Sequence, residues 1–398
     1  MGDETAAIDR PTAPPRRRLS RWKFILFALV PALVLLAAAE IVVRVAEWAN
    51  PALQSLPLPE EQQGLLEPDP DLFWRLAANQ SRPYRNDPAG YATNRLGLRC
   101  GEVPAEKDAD EFRILSLGES TTYGFGITNR ETYSYQLEEI LNRESDGSTH
   151  YRVINAGLPA YSSFQSLLYL ELRGFDLQPD LVLFYHEIND YLPTSLRMSS
   201  NNELGLMLTD AELHASLRGT LGRQLTAHSA LFRFIRYQMA RRKLRLLEDA
   251  QATVDPNAIG LDDISVSRLV DTVQNASVDV NEQALPTRVS PEERRANLAK
   301  LQTLCRQRGV ELVVIHPSYK DSTPHECLLT EFCRDHNVTL FDAQPSLHPK
   351  EPTEDDFFID DMHPGPALNH RLAVDLAEFL QAEGLVPEDA ARGDMSGE

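Results

Sequence analysis

Five short apolar runs recur along the chain, and each has the length of a β-strand. They are FRILSL (112–117), YRVINA (151–156), DLVLFYH (180–186), VELVVIHP (310–317) and VTLFDA (338–343). Near-continuous apolarity over such a length is typical of parallel strands that are buried on both faces. The pattern therefore predicts five strands of one parallel sheet.

Helical patterns separate the predicted strands. Residues 132–144 place apolar side chains on one face, and residues 163–174 begin at a serine and end at a glycine. Residues 290–309 carry a full set of helix signals, with Ser290 as the cap and Glu293 completing a capping box. This alternation predicts an α/β fold with right-handed crossovers, whose ligand crevice lies beyond the carboxyl ends of the strands.

Three further stretches lie outside this alternation. Residues 46–110 are rich in turn-forming residues and predict an extended linker or N-terminal appendage. Residues 191–289 show no clear strand and predict an insertion in a domain that spans 111–385. Within the insertion, residues 228–249 predict an amphipathic helix with six basic residues, facing either solvent or anionic lipid. Residues 386–398 are expected to form a flexible tail.

The N-terminus carries the longest apolar run, residues 24–43, in which Glu40 is the only charged residue. Twenty residues rise about 30 Å as a helix, which is the thickness of a bilayer core. Residues 1–23 hold six basic and three acidic residues. This asymmetry predicts a basic cytoplasmic segment over 1–23, a transmembrane anchor over 24–45, and an exported domain, periplasmic or extracellular, after it.

Two other interpretations of this run stay open. Ala37, Ala38 and Ala39 resemble the small-residue cleavage site of a signal peptide, in which case the helix would be removed. The run would also suit a buried helix of a soluble core, although the adjoining arginine cluster argues against it.

Composition narrows the possible partners. The 398 residues include 39 basic and 59 acidic side chains, for a net charge of −20, which argues against nucleic acid as a partner. Four cysteines allow up to two disulfides in any of three pairings, or buried free thiols. They are Cys100, Cys305, Cys327 and Cys333.

Candidate chemistry lies in four short motifs, three of which follow predicted strands. Ser120 follows the first strand in LGESTTYG, Gly157 follows the second in NAG, and Asn189 follows the third in HEIND. Near the C-terminus, DDMHPG supplies Asp360 and His363. Because the carboxyl ends of parallel strands meet at one edge of a sheet, these residues are expected to converge.

The residue types suit nucleophilic catalysis. A serine hydroxyl becomes a nucleophile when a neighbouring histidine takes its proton, which assigns these roles to Ser120 and His363. A carboxylate orients the imidazole and stabilises the imidazolium. Asp360 is the expected partner of His363, with Asp361 as the alternative.

The same motifs offer donors for an oxyanion. The tetrahedral intermediate of acyl transfer needs preorganised hydrogen-bond donors, each typically contributing about 2.7–4 kcal/mol. The backbone N–H groups of Ser120 and Gly157 and the side-chain amide of Asn189 are the expected donors.

The four motifs, in this order, resemble those of the SGNH (GDSL-like) hydrolase family. Ser120 matches the nucleophile of the family, and Gly157 and Asn189 match its oxyanion donors. Asp360 and His363 match its D-x-x-H pair.

The resemblance covers about 112–190 and 310–380. It implies a flavodoxin-like three-layer α/β/α sandwich with a parallel sheet, and a reaction that needs no metal or organic cofactor. The sequence departs from the family pattern at Glu119, where the family has Asp, and at Glu187, where it has Gly. The second departure bears on the geometry expected for Asn189.

The resemblance and the expected location imply a serine esterase that acts through an acyl-enzyme on Ser120. The expected substrate is an acyl (acetyl) ester of an extracytoplasmic carbohydrate or envelope glycan, or of a lipid. An O-acyltransferase that acts on glycan hydroxyls is the first alternative. A catalytically silent binding or scaffold protein is the second, since Glu119 and Glu187 depart from the family pattern.

Overall fold

A five-stranded parallel sheet forms the centre of the molecule. The computed structural model describes residues 21–49, 65–69, 71–84, 87–192, 208–218, 228–232, 234–235, 287–321 and 327–387. The strands of this sheet are β5 (Glu111–Gly118), β6 (His150–Gly157), β7 (Leu181–Tyr185), β8 (Glu311–His316) and β9 (Thr339–Asp342). Their spatial order is β6-β5-β7-β8-β9, which is the flavodoxin-like order of doubly wound sheets. All five predicted strands are confirmed.

The remaining elements surround this sheet or precede it. The helices are α1 (Arg21–Ala49), α2 (Ser120–Tyr123), α3 (Tyr133–Glu144), α4 (Ser163–Tyr169), α5 (Ile188–Tyr191), α6 (Asp210–Arg218), α7 (Pro291–Arg308), α8 (Leu328–His336), α9 (Gln344–Leu347) and α10 (Pro366–Ala382). A π-helical turn (Leu170–Gly174) extends α4. The predicted cap of α7 is present, because the Ser290 hydroxyl accepts from the Glu293 N–H and the Glu293 carboxylate accepts in return.

Helices cover both faces of the sheet. On one face, Ile114 of β5 packs in an apolar cluster with α3 and α10. On the other face, Leu115 and Leu117 pack in a second cluster with α4, α7 and α8. Adjacent residues of one strand therefore contribute to different layers, as alternation along a strand requires. The predicted three-layer α/β/α sandwich is confirmed.

The segment before β5 packs onto this domain. It forms two antiparallel hairpins, β1 (Leu66–Asp69) with β2 (Phe73–Leu76) and β3 (Ser81–Tyr84) with β4 (Asp87–Ala92). Trp74 of β2 is buried in the same apolar cluster as β5, and its indole N–H donates to the Pro159 carbonyl. The described residues of this segment thus pack against the domain through Trp74.

Helix α1 is long and apolar enough to cross a membrane. The window Leu29–Ala46 has a mean hydropathy of 2.2, and 6% of it is buried. A core helix of a soluble protein would be mostly buried, so this exposure does not support that interpretation. A signal sequence would have the same length and hydropathy as a membrane span. Its acidic residue Glu40 accepts hydrogen bonds from the Ser229 hydroxyl and from the N–H groups of Ala230 and Leu231. Residues 1–20 of the predicted basic segment 1–23 lie outside the described residues.

The insertion and the tail are described in part. Helix α6 lies in the predicted insertion, where Asp210 forms a buried ion pair with Arg288. The Asp210 carboxylate also accepts a hydrogen bond from the Ser162 hydroxyl of the domain. Most of the predicted helix over 228–249, and residues 388–398 of the predicted tail, lie outside the described residues. All four cysteines are described and carry free thiols, so none of the three possible disulfide pairings is formed.

Two paired glycines at the carboxyl ends of β5 and β6 let α2 lie directly on the sheet. Gly118 and Gly157 are partners in the parallel register. A Cβ on Gly157 would lie 2.3 Å from the Tyr123 backbone nitrogen, and a Cβ on Gly118 would lie 1.9 Å from the Thr122 hydroxyl oxygen. Both distances are shorter than any real contact, so only glycine permits this approach.

We predict that Gly157→Ala destabilises the protein by at least about 2 kcal/mol, because the new methyl group meets backbone atoms that cannot move aside. Urea unfolding in detergent measures the change. Gly101→Ala is the matched control, since nothing lies within 4 Å of its added Cβ. Equal stability of the two variants would contradict the close approach of α2.

Candidate active site

Ser120 lies at the first turn beyond the central strand. Strand β5 ends at Gly118, and α2 begins at Ser120. The turn closes through hydrogen bonds from the Tyr123 N–H to the Glu119 carbonyl and from the Gly124 N–H to the Ser120 carbonyl. The serine hydroxyl is thereby held at the carboxyl edge of the sheet, where the sequence predicted it.

His363 lies in a tight loop just before α10. The Asp360 carboxylate accepts hydrogen bonds from the N–H groups of Met362 and His363, at 2.8 and 2.9 Å. The Ile359 N–H also donates to the His363 carbonyl at 2.8 Å. The D-x-x-H spacing therefore makes a turn in which one carboxylate holds the backbone of the histidine in place.

The structure brings these three side chains together. The His363 Nε2 atom lies 2.7 Å from the Ser120 Oγ atom, and its Nδ1 atom lies 2.7 Å from an Asp360 carboxylate oxygen. With Nδ1–H donating to Asp360, Nε2 is the acceptor for the serine hydroxyl. Asp361, the alternative partner, is half-exposed and lies 3.8 Å from the Lys320 Nζ atom instead.

Asp360 stays ionised over a wide pH range. Partial burial alone would raise the pKa of Asp360, but the hydrogen bond and charge of His363, with the backbone donors, lower it to about 2. The carboxylate therefore carries its negative charge at neutral pH. The ring of Phe125 packs on the imidazole, with ring centres 4.5 Å apart.

Gly157 does not occupy the predicted position of an oxyanion donor. Its N–H donates to the Asn155 side-chain oxygen at 3.0 Å, so this hydrogen is already engaged. Glycine is needed at this position because a Cβ atom would collide with the α2 backbone, as described above. The close approach of the backbone at Gly157 is therefore an approach to α2, and its N–H is engaged within the chain.

Ala160, three residues further along, is a residue that sequence reasoning missed. It has φ of +57°, which is rare for a residue with a Cβ and marks a backbone held by its surroundings. The buried Arg288 guanidinium donates to the Ala160 carbonyl. Within the described residues, no acceptor pairs with the N–H groups of Ser120 or Ala160. The sequence does not indicate this residue, because alanine is not a residue type associated with positive φ.

Asn189 lies at the same edge, as predicted. Its side-chain N–H donates to the Tyr161 carbonyl at 3.0 Å, which leaves the second hydrogen of this amide for another acceptor. Its backbone N–H donates to the Glu119 carboxyl at 3.4 Å. Asn189 thus contacts both the loop that contains Ala160 and the residue that precedes Ser120.

A cluster of buried charges lies beneath these groups. Burial, together with the negative charge of Asp190, raises the pKa of Glu119 to about 8. Burial also raises the pKa of Asp190, against the opposing charge of Arg294, whose guanidinium lies 3.4 Å away. Glu119, the predicted departure from the family Asp, is therefore a neutral acid at neutral pH.

Arg99 is a second residue that sequence reasoning missed. Its buried guanidinium donates to the carbonyls of Tyr123, Gly124 and Ile127 and to the Asn129 side chain, at 2.8–3.0 Å. The same group lies 4.5 Å from the centre of the Tyr123 ring. The appendage therefore fixes the loop that follows the serine, a role that no local motif signals.

We predict that the stability difference between Glu119→Gln and the wild type changes with pH. The pKa of Glu119 is about 8 when folded against an ordinary 4.5, so the folded chain binds more protons between these values. The free energy of unfolding of the wild type then falls as pH rises through this window. Glutamine does not titrate, so between pH 5 and pH 8 the variant gains stability relative to the wild type, by more than about 1 kcal/mol.

Urea unfolding of both proteins in the same detergent, at several pH values, measures this gain. Glu139→Gln, on an exposed face of α3, is the control that should show no comparable trend. A constant difference between Glu119→Gln and the wild type would contradict the raised pKa.

Comparison with known proteins gives matches in structure alone. No known family profile and no curated protein sequence matches the chain. Solved structures that match it include TesA, with 14% identity, a TM-score of 0.38, and coverage of 68% of this chain and 98% of TesA. An acetylxylan esterase from Geobacillus stearothermophilus matches with 13% identity, a TM-score of 0.38 and coverage of 69% and 94%.

A lipase/acylhydrolase from Enterococcus faecalis matches with 15% identity, a TM-score of 0.36 and coverage of 68% and 96%. At these identities and scores the similarities carry no inference about activity. The fold itself is settled by the strand order and by the helices on both faces of the sheet. The chain therefore has the fold that its resemblance to the SGNH (GDSL-like) hydrolases implied.

Proposed function

We propose that the protein is a serine esterase of the SGNH type. One observation carries the proposal: a continuous hydrogen-bonded chain runs from the Ser120 hydroxyl through His363 to Asp360, across 243 residues of sequence. Side chains so far apart along the chain meet in this order only because the sheet brings the ends of its strands together. The contacts support a working nucleophile over a catalytically silent scaffold.

The reaction follows from these contacts. As the Ser120 oxygen attacks the ester carbonyl carbon, its proton passes to the His363 Nε2 atom. The imidazolium, stabilised by Asp360, then protonates the leaving alcohol while the carbon–oxygen bond of the ester breaks. Water, deprotonated by His363, attacks the acyl-serine in turn. The acid leaves, and the serine proton is restored.

The oxyanion would be held by donors from three loops. Ser120 and Ala160 supply backbone N–H groups, and Asn189 supplies the second hydrogen of its side-chain amide. The positive φ of Ala160 and the bond from Arg288 to its carbonyl support this choice, since both fix the orientation of that peptide. Ala160 thus replaces Gly157 among the expected donors.

The substrate we propose is an acyl ester outside the cytoplasm, on a carbohydrate, an envelope glycan or a lipid. Helix α1 supports this location, as a span or as an export signal. The ring of Phe125, 37% exposed beside His363, offers an apolar surface to the acyl group. We propose a short acyl group such as acetyl.

We predict that the full-length protein in detergent hydrolyses a short-chain aryl ester and reacts with a fluorophosphonate probe. Ser120→Ala should lower kcat by at least about 10³-fold and abolish labelling, because it removes the nucleophile. Ser148→Ala, which changes an exposed serine, is the matched control. Equal turnover by the Ser120 variant would overturn the proposal, whereas labelling without hydrolysis would indicate transfer to another acceptor.

We also predict that Asp360→Asn lowers kcat by about 10²–10⁴-fold, because the amide no longer holds the imidazole in the tautomer that accepts from serine. Asp361→Asn should stay within about threefold of the wild type, since Asp361 lies beside Lys320. Steady-state kinetics of both variants decide between them. The reverse order of effects would assign the carboxylate to Asp361.

A further inference from the structure

A second group of reactive side chains lies apart from the Ser120–His363 pair, at the ends of β7 and β8. Glu187 follows β7, His316 is the last residue of β8, and Cys327 precedes α8. All three are buried, with 1%, 4% and 5% of their surfaces exposed. One ligating atom from each, a carboxylate oxygen, a ring nitrogen and a sulfur, lies within 4.8 Å of the other two.

The orientation of His316 matches that of a metal ligand. Its Nδ1 atom lies 3.4 Å from an Asp342 carboxylate oxygen. The opposite ring nitrogen, Nε2, is buried as well, and one ring nitrogen of His316 lies within 4.8 Å of ligand atoms of Glu187 and Cys327. A carboxylate that orients the imidazole from behind is the usual companion of a histidine bound to zinc.

The charges also suit a cation. A buried carboxylate beside a thiol is costly unless a positive charge compensates it, and a divalent ion would compensate both Glu187 and a Cys327 thiolate. Arg294 lies within electrostatic reach of both. Its guanidinium also lies 3.4 Å from the Asp190 carboxylate and donates to the His186 carbonyl at 3.1 Å, so one positive charge serves several acidic groups.

We propose that Glu187, His316 and Cys327 bind a zinc ion. Oxygen, nitrogen and sulfur donors together favour zinc over calcium or magnesium, which take oxygen ligands. Ligands at about 2.0–2.3 Å from a tetrahedral ion lie about 3.3–3.8 Å apart, so the side chains move together by up to about 1 Å on binding. Three protein ligands leave the fourth position to water or another small ligand.

The ion would stabilise the turn that carries Asn189. Glu187 stands two residues before Asn189, at the position where the SGNH pattern has glycine. Fixing Glu187 to β8 and α8 through a metal would hold this turn against the sheet. The resemblance implied a reaction without metal, and the proposed ion has no part in the chemistry of Ser120; it positions a loop.

Zinc titration of the full-length, tag-free protein tests the proposal. After removal of metal with EDTA, competition with a chromogenic chelator should show one zinc ion per chain with a submicromolar Kd, and zinc should raise the Tm. Cobalt in place of zinc should give a thiolate-to-cobalt charge-transfer band. A wild-type protein that takes up no stoichiometric zinc, or a cobalt form without this band, would overturn the proposal.

Variants test each ligand. Cys327→Ser and Glu187→Gln should lose most zinc affinity, and Cys333→Ser, a buried thiol of the same helix, should keep it. Asp342→Asn should weaken binding by about 10–100-fold. Because Asp342 is half-exposed, this variant is expected to fold even if the others do not. Zinc affinities of Cys327→Ser and Asp342→Asn equal to that of the wild type would overturn the assignment.

The zinc site and the esterase are separable by experiment. Ser120→Ala should bind zinc as tightly as the wild type, because Ser120 is not a ligand. Failure of ester hydrolysis with intact zinc binding would refute the proposed function alone, and the reverse result would refute the zinc site alone.

Discussion

The candidate site depends on the hydrogen bond between Ser120 and His363. The serine is fixed from one side by the turn after β5 and by the Arg99 guanidinium, which binds three carbonyls of the following loop. The histidine is fixed from the other side by Asp360, which holds both its backbone and its ring. The contacts that hold the serine and those that hold the histidine come from different segments of the chain, so the 2.7 Å contact between the two side chains forms only in the folded protein.

The edge of the sheet that makes this contact also concentrates buried ionisable groups. Glu119, Asp190 and Glu187 lie beneath the site with Arg294, and burial disfavours the charged form of each. A purely apolar layer would be more stable, since buried ion pairs rarely repay their desolvation. Their presence here is explained if they position the turns of Ser120 and Asn189, directly or through a bound ion.

Much of this arrangement could be predicted from the sequence. The apolar runs identify the five strands, because strands of a parallel sheet that is covered on both faces are apolar on both sides. The residues that follow parallel strands meet at one edge of the sheet. Ala160 and Arg99 could not be found in this way. Positive φ at an alanine and a guanidinium that binds distant carbonyls are set by tertiary contacts, which no local pattern records. Close packing and anion binding make the same demand for glycine, so the sequence alone does not distinguish these two roles at Gly157.

A double-mutant cycle tests the central contact most directly. If Ser120 and His363 act as one unit, the doubly substituted Ser120→Ala, His363→Ala enzyme is about as slow as either single variant, because the second change removes nothing that remains in use. The kcat/KM values of the wild type, the two single variants and the double variant give the coupling free energy. Losses that multiply, so that the double variant falls by the product of the single effects, would show that the two side chains act independently and would contradict the account.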